Sequence, residues 1–250
     1  MALLTTVSLR KYFGDVRAVD DVSLSIHEGE YVSIIGPNGA GKTTLINLIS
    51  GILKPDGGKV YFMDKDITGL SPAKISKLGV ARSFQLINIF PELSALDCVC
   101  AAIVSRSNKG MIMHKPLAND EEVLREAGEI LSLFGLYEKR HVLAKNLPHG
   151  DKKLLDIASA FALRPKIILL DEPTSGVSSG EKKRIMDTLM SASREIGIKA
   201  VVSVEHDMDI VFSYSSRIIA MHNGKVLADG VPDEIKSNQV VISTITGRGA

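Results

Sequence analysis

Short apolar runs and longer amphipathic stretches alternate along most of the chain, with Gly, Pro, Asn and Asp collecting between them. In the first third, "LTTVSL", "VDDVSLSI", "YVSIIG" and "KVYFMD" carry the alternation or the β-branched content expected of strands. Later, "KIILLD", "AVVSVE" and "RIIAM" each follow a stretch with helical spacing. The first two are β-branched and almost free of charge, as strands covered on both faces should be. In "HNGKV", Asn223-Gly224 between apolar runs predicts a hairpin turn. Strands alternating with helices predict an α/β architecture.

Between Gln85 and Leu147 the strand-like runs disappear. "SALDCVCAAIV" reads as one helix. Asn119, with Glu122 three residues on, predicts the N-terminal cap of a second. Val123, Leu124, Ala127, Ile130, Leu131 and Phe134 then share one helical face. The stretch between them, "SNKGMIMHKPLAN", reads as a loop whose Met-Ile-Met is either a packing plug or a contact surface, packing being preferred. The division this predicts is an α/β core over about 1–85 and 151–235, a helical subdomain over 86–150, and a tail over 236–250. The tail's "VVISTITGRGA" reads equally as a docking segment or as disorder.

A chain of 250 residues fits one principal domain, since single cores stop growing at roughly 250–300 residues. Thirty Lys and Arg stand against 29 Asp and Glu, a formal charge of +1 with no long basic run, so nucleic acid is not the expected partner. The opening residues lack the pattern of a secretory signal, and no window holds the ~20 apolar residues that a spanning helix needs. Any membrane role is therefore expected to be peripheral. Cys98 and Cys100 form a lone C-x-C with no nearby partner ligands, which reads as a pair of packing thiols in a reducing compartment.

The most informative chemistry lies in "YVSIIGPNGAGKTTLINLISGI". An apolar strand ends at Gly36, Gly39 and Gly41 permit a tight loop, and Lys42, Thr43 and Thr44 open a helix. Gly36, Pro37, Asn38, Gly39, Ala40, Gly41, Lys42 and Thr43 fit G-x-x-x-x-G-K-[ST], in which backbone amides and the positive end of a helix cradle phosphates. Lys42 is expected to neutralise β- and γ-phosphates and Thr43 to ligate Mg²⁺. The loop amides, with Thr44 nearby, would hold α- and β-oxygens. In "KIILLDEPTSG", Asp171 closes an apolar strand and would hold the metal ion, directly or through water. Glu172 beside it can accept a proton from an attacking water.

These two elements lie about 130 residues apart with a helical insert between them, and so arranged the chain resembles, over nearly its whole length, the ATP-binding subunits of ABC transporters. The resemblance implies a P-loop NTPase fold of the ABC type, with an antiparallel β subdomain and an inserted helical subdomain. It implies ATP and Mg²⁺ as ligands. It also assigns Gln85 to the glutamine that touches Mg²⁺ or the attacking water, and His206 in "VVSVEHDMD" to the switch histidine at the γ-phosphate. Phe13 aligns with the aromatic on which adenine stacks, with Tyr12 adjacent as the other register. "SGVS", Ser175 to Ser178, occupies the loop through which two nucleotide domains sense each other, with Ser178 where an aspartate is frequent.

The family's Leu-Ser-Gly-Gly-Gln signature, which contacts the ATP of the opposite subunit, becomes Leu147, Pro148, His149, Gly150 and Asp151. Proline removes a hydroxyl and an amide, while Gly150 and the start of a helix remain to favour an anion. A working variant that relies on backbone and dipole is the preferred reading; a silent half-site is the other.

"FQLINIFPELSALDCV", "LPHGDKKLLDIA" and "VEHDMDIV" look most like the ATPase subunits of branched-chain amino acid importers. That branch implies a second nucleotide-binding subunit, identical or paralogous, two membrane-spanning permease subunits, and an external binding protein acting indirectly. The cassette of a lipid or lipopolysaccharide exporter is the alternative. Ile87, Ile89, Phe90 and Pro91 form the expected socket for a permease helix.

Overall fold

The structure is a computed structural model, and it describes residues 2–83, 90–107 and 120–246. Gln85, Ile87, Ile89, Asn119 and the Met-Ile-Met stretch lie outside the described residues. Strands β1 (Ala2–Phe13) and β2 (Val16–His27) pair antiparallel. With β4 (Gly57–Phe62) and β5 (Lys65–Asp66) they form a sheet of order β2-β1-β4-β5.

A second sheet combines β3 (Tyr31–Ile35), β6 (Val80–Arg82), β7 (Ile167–Asp171), β8 (Ala200–Val204), β9 (Arg217–His222) and β10 (Lys225–Gly230). Its order is β10-β9-β3-β8-β7-β6. All neighbours run parallel except β9 and β10, which form the hairpin predicted at Asn223-Gly224. The expected strands are all present; β5 and β6 are additions. The parallel arrangement brings the ends of β3, β7 and β8 to one edge, where the helices that follow them begin.

Strands β3, β7 and β8 are buried along their full length, and their alternating side chains divide between two apolar layers. Ile167, Leu169, Val32, Ile34 and Val202 join α1 (Lys42–Ile49) and the antiparallel sheet. Ile168, Leu170, Tyr31 and Val201 join the helical side. That side comprises α3 (Ala95–Ser107), α4 (Glu121–Leu133), α5 (His149–Ala162) and α6 (Ser179–Ile196). Phe134 meets Phe161 edge to face, with centroids 5.1 Å apart. The helices of the insert thus share one continuous core with the sheet.

The predicted apolar face of α4 is the buried one, with Leu124 at its margin. Its cap is one residue later than expected: Asp120 Oδ1 accepts from Val123 N–H at 3.3 Å. Cys98 and Cys100 are buried packing residues of α3, and burial pushes the Cys100 thiol up to about 11.

The tail corrects the open reading of disorder as far as Thr246. After α2 (Pro72–Leu78) and α7 (Met208–Tyr214) in chain order come α8 (Pro232–Ser237) and α9 (Gln239–Thr246). Val241 is fully buried against Ile35, Val211, Ile218 and Ile235. Asn238 Oδ1 accepts from Val240 N–H and Val241 N–H at 3.1 and 3.2 Å, a local cap ahead of an apolar run.

At the end of β8, Glu205 is buried, with Thr174 Oγ1 3.0 Å from both carboxyl oxygens. Burial pushes its carboxyl up to about 7, more than the Thr174 hydrogen bond restrains it. Between 4.5 and about 7 the folded chain therefore keeps a proton that the unfolded chain has released. Stability from this group is full below 4.5, falls as pH rises to about 7, and is level above that. Glu205→Gln should remove this decline. Denaturant melts at pH 5 and pH 8 should give a gain at pH 8 of about 3 kcal/mol at most and almost none at pH 5. A gain equal at both pH values would contradict the assignment.

Candidate functional site

The loop from Gly36 to Gly41 leaves β3 and enters α1 along a path that only small residues allow. Gly41 has φ 101°, and a Cβ there would lie 2.1 Å from the Ala18 carbonyl oxygen. Gly36 has φ 149°, and a Cβ would lie 2.2 Å from the Met221 carbonyl oxygen. The loop is thus pressed against β2 on one side and β9 on the other. Lys42 is 6% exposed, and its Nζ donates to the carbonyl oxygens of Gly36 (2.8 Å) and Pro37 (2.9 Å). Burial lowers its pKa, opposed by Glu172 and Asp171. Thr43 is exposed and Thr44 half-buried at the start of α1.

A cleft of about 390 Å³ opens over this loop. Asn38 to Thr44 line it together with Phe13, Val16, Ala18, Glu172 and His206. Its size falls within the ~300–1,000 Å³ of small-molecule sites. Seven of the predicted loop residues therefore meet Phe13, Glu172 and His206 in one space. Gly36 and Pro37 border a smaller adjoining cavity with Glu205, His206 and Ile245 of α9. The two aromatics at the end of β1 separate cleanly. Phe13 is 48% exposed in the cleft, whereas Tyr12 Oη donates to Asp20 Oδ1 at 2.7 Å.

Asp171, at the end of β7, is 1% exposed. Arg82 of β6 donates to its Oδ2 at 3.0 Å, and the same guanidinium reaches Ser50 Oγ at 3.3 Å and Asn47 of α1. Burial raises the Asp171 pKa, and the Arg82 charge pulls against that rise. Oδ1 of Asp171 is buried without a hydrogen-bond partner among the described residues. Such an acceptor is costly unless a further donor or a cation meets it.

Glu172 follows with φ 51°, an uncommon conformation for a residue with a side chain. Its carboxylate Oε1 lies 3.0 Å from His206 Nε2. Its carbonyl oxygen accepts from Ser175 Oγ at 3.0 Å and from Lys153 Nζ at 3.2 Å. Buried Lys153 has its pKa lowered by desolvation, with Asp156, Glu172, Glu205 and Asp171 opposing. The sequence reading missed Arg82, Lys153 and Glu205. Lys153 carried a signal: it falls on the stripe of Ile157 and Ala160, with Asp156 one turn on, and charges inside an apolar stripe mark a buried ionic group.

The stretch from Leu147 to Asp151 lies away from this cleft. Pro148 is the N-terminal cap of α5, and Lys152 N–H closes the first turn onto its carbonyl at 2.9 Å. The first amides of the helix, at His149, Gly150 and Asp151, have no partner within it. Leu147 is buried, as is Asp151, whose carboxylate is bound by Lys139 and by Arg184 of α6 at 2.5 Å. Burial raises the Asp151 pKa, but the hydrogen bonds and charges of Lys139 and Arg184 together leave it lowered. Of the five residues expected at a phosphate, Leu147 and Asp151 thus have their side chains committed to the interior. Pro148 and His149 are exposed, with His149 beside Gly176.

Comparison with known proteins accords with this geometry. Residues 19–175 match the ABC transporter family. The high-affinity branched-chain amino acid transport ATP-binding protein LivG of Salmonella typhimurium is 36% identical over 98% of each chain. The probable LivG of Methanocaldococcus jannaschii is 36% identical over 94% of this chain and 91% of its own. Among solved structures, the ADP conformation of MJ1267, an ATP-binding cassette of an ABC transporter, superposes with a TM-score of 0.86 at 33% identity, covering 99% of both chains. A dimeric post-hydrolysis state of the cassette MJ0796, bound to ADP and Pi, gives 0.77 at 30% identity over 92% of this chain and 98% of its own. Likeness of this extent, in sequence and in backbone, makes the chain a member of the ABC transporter family, as one of its ATP-binding cassettes.

Proposed function

We propose that the chain is the ATP-hydrolysing subunit of an importer for branched-chain or related amino acids. The observation that carries this is the cleft itself, where the glycine loop, Lys42, and the Glu172–His206 pair converge in a chain 36% identical to LivG along its length. The relatives favour an importer over an exporter cassette. In this reading the subunit sits at the cytoplasmic face of the membrane. No described helix is long and apolar enough to cross it. Two permease subunits and, through them, an external binding protein complete the system; nucleic acid has no part. Phe90, 60% exposed, and Pro91 belong to the surface that would meet a permease helix. The proposed division of the chain remains an α/β core with a helical subdomain over 86–150.

Two cassettes, identical or paralogous, would close head to tail around two ATP molecules. The loop amides and Lys42 receive the phosphates, and Phe13 stacks on adenine. Water attacks the γ-phosphorus, its proton passes to Glu172, and the bond to the β-phosphate oxygen breaks to release ADP. His206, 3.0 Å from Glu172, would orient that carboxylate and contact the γ-phosphate. The first turn of α5 offers amides and a positive helix end to the partner's ATP. This makes Leu147–Asp151 a working variant through its backbone, with Asp151 anchoring the turn to α6.

Asp171, with its unsatisfied Oδ1, and the exposed Thr43 hydroxyl suit a Mg²⁺ ion, joined by Gln85. The described residues hold no cluster of three or more metal-binding side chains. A Mg²⁺ ion here would take its remaining ligands from phosphate and water. When bound, Mg²⁺ offsets the charge of the β- and γ-phosphates.

Glu172→Gln should bind Mg-ATP as the parent does, accumulate a closed dimer on sizing with light scattering, and hydrolyse at least ~100-fold more slowly. Hydrolysis at the parent rate would show the base to be misassigned. Phe13→Ala should weaken nucleotide binding by about 3- to 10-fold in calorimetric titration, the scale of one aromatic stack. Tyr12→Phe should leave affinity unchanged; an equal loss in both variants would contradict the stacking assignment.

A further inference from the structure

We propose that Lys153 is a positioning residue for Glu172, holding its left-handed backbone, and hence the direction of its carboxylate, from within the helix that carries the signature. The inference rests on the reading of Glu172 as the base.

A residue with a side chain keeps φ near 51° only when its surroundings fix it there. At Glu172 those surroundings are specific. Its N–H donates to the Val204 carbonyl at 3.0 Å. Its own carbonyl oxygen accepts from Ser175 N–H at 3.1 Å, Ser175 Oγ at 3.0 Å and Lys153 Nζ at 3.2 Å. Lys153 Nζ also donates to Ser175 Oγ at 3.0 Å, so cation, hydroxyl and carbonyl close a triangle. Lys153 is the only member of that triangle from outside the loop, and it is 5% exposed. Rotating the Glu172 peptide would leave the ammonium buried without this acceptor, which is unfavourable for a charged donor.

The triangle also links two sites. Lys153 stands one turn into α5, whose opening amides face the partner's nucleotide in the head-to-tail dimer. The carbonyl it holds belongs to the base that acts on this chain's own nucleotide. A shift of α5 on engaging the partner is therefore carried to Glu172 through one side chain.

The test compares steady-state hydrolysis and Mg-ATP affinity for the parent, Lys153→Met, Lys153→Arg, Glu172→Gln and the double variant Lys153→Met/Glu172→Gln. Lys153→Met should lower kcat about 10-fold or more while affinity stays within about 3-fold, and Lys153→Arg should recover most of kcat. In the Glu172→Gln background, adding Lys153→Met should change the residual rate less than about 2-fold, because the lysine acts through the carboxylate. Parent-like turnover in Lys153→Met, or a full further loss in the Glu172→Gln background, would overturn the proposal while leaving Glu172 as the base. A Glu172→Gln enzyme as fast as the parent would instead overturn the base and this proposal together. If Lys153→Met does not fold, Ser175→Ala opens the same triangle: a kcat loss absent from the Glu172→Gln background supports the proposal, and parent-like turnover refutes it.

Discussion

The structure depends on holding opposite charges out of water at the ends of two parallel strands. Lys42 follows the loop after β3 and Asp171 closes β7, each almost wholly buried. Burial pushes both toward neutrality, and each is restored by the other and by neighbours: Glu172 for the lysine, Arg82 for the aspartate. A hydrophobic sheet must therefore carry ionic groups at its edge, which is costly unless they are paired. The apolar layers on both faces of β7 and β8 position these groups but do not satisfy them. Lys42 donates to two loop carbonyls, whereas one oxygen of Asp171 has no donor among the described residues. Unspent hydrogen-bonding and charge capacity at this edge suits a ligand rich in anionic oxygen together with its cation.

Much of this was legible because period and composition agreed. Strands β3, β7 and β8 read as mostly apolar because both faces are covered, and Asn223-Gly224 marked its hairpin. The glycine loop was legible because its geometry is restrictive: a Cβ at Gly36 or Gly41 would strike the backbone of β9 or β2. The register of Phe13 against Tyr12 was not, since adjacent aromatics on a strand differ only in which face they take. In the fold the Asp20 carboxylate draws the Tyr12 hydroxyl, while Phe13 lines the cleft.

The groups that escaped the sequence reading are those whose role depends on a distant partner. Arg82 ends a three-residue strand and meets Asp171 across 89 positions of sequence. Glu205 beside His206 offered no pattern of its own, and the partners of the Asp151 carboxylate, Lys139 and Arg184, lie 12 and 33 positions away. The tail stayed open between two readings for a similar reason: its apolar side is covered by α7 and β9, which local spacing cannot foresee. The signature departs in side chains from the family's Leu-Ser-Gly-Gly-Gln pattern, but the helix start it builds keeps its amides, and those carry the chemistry proposed for it.

The central claim is that the cleft over the glycine loop, lined by Lys42 and Glu172, takes Mg-ATP. Isothermal titration of the purified chain tests it most directly. The account expects saturable binding of Mg-ATP that is abolished by Lys42→Ala and weakened when Mg²⁺ is chelated. A folded parent that takes up no nucleotide at millimolar concentration, or a Lys42→Ala protein that binds as the parent does, would contradict it.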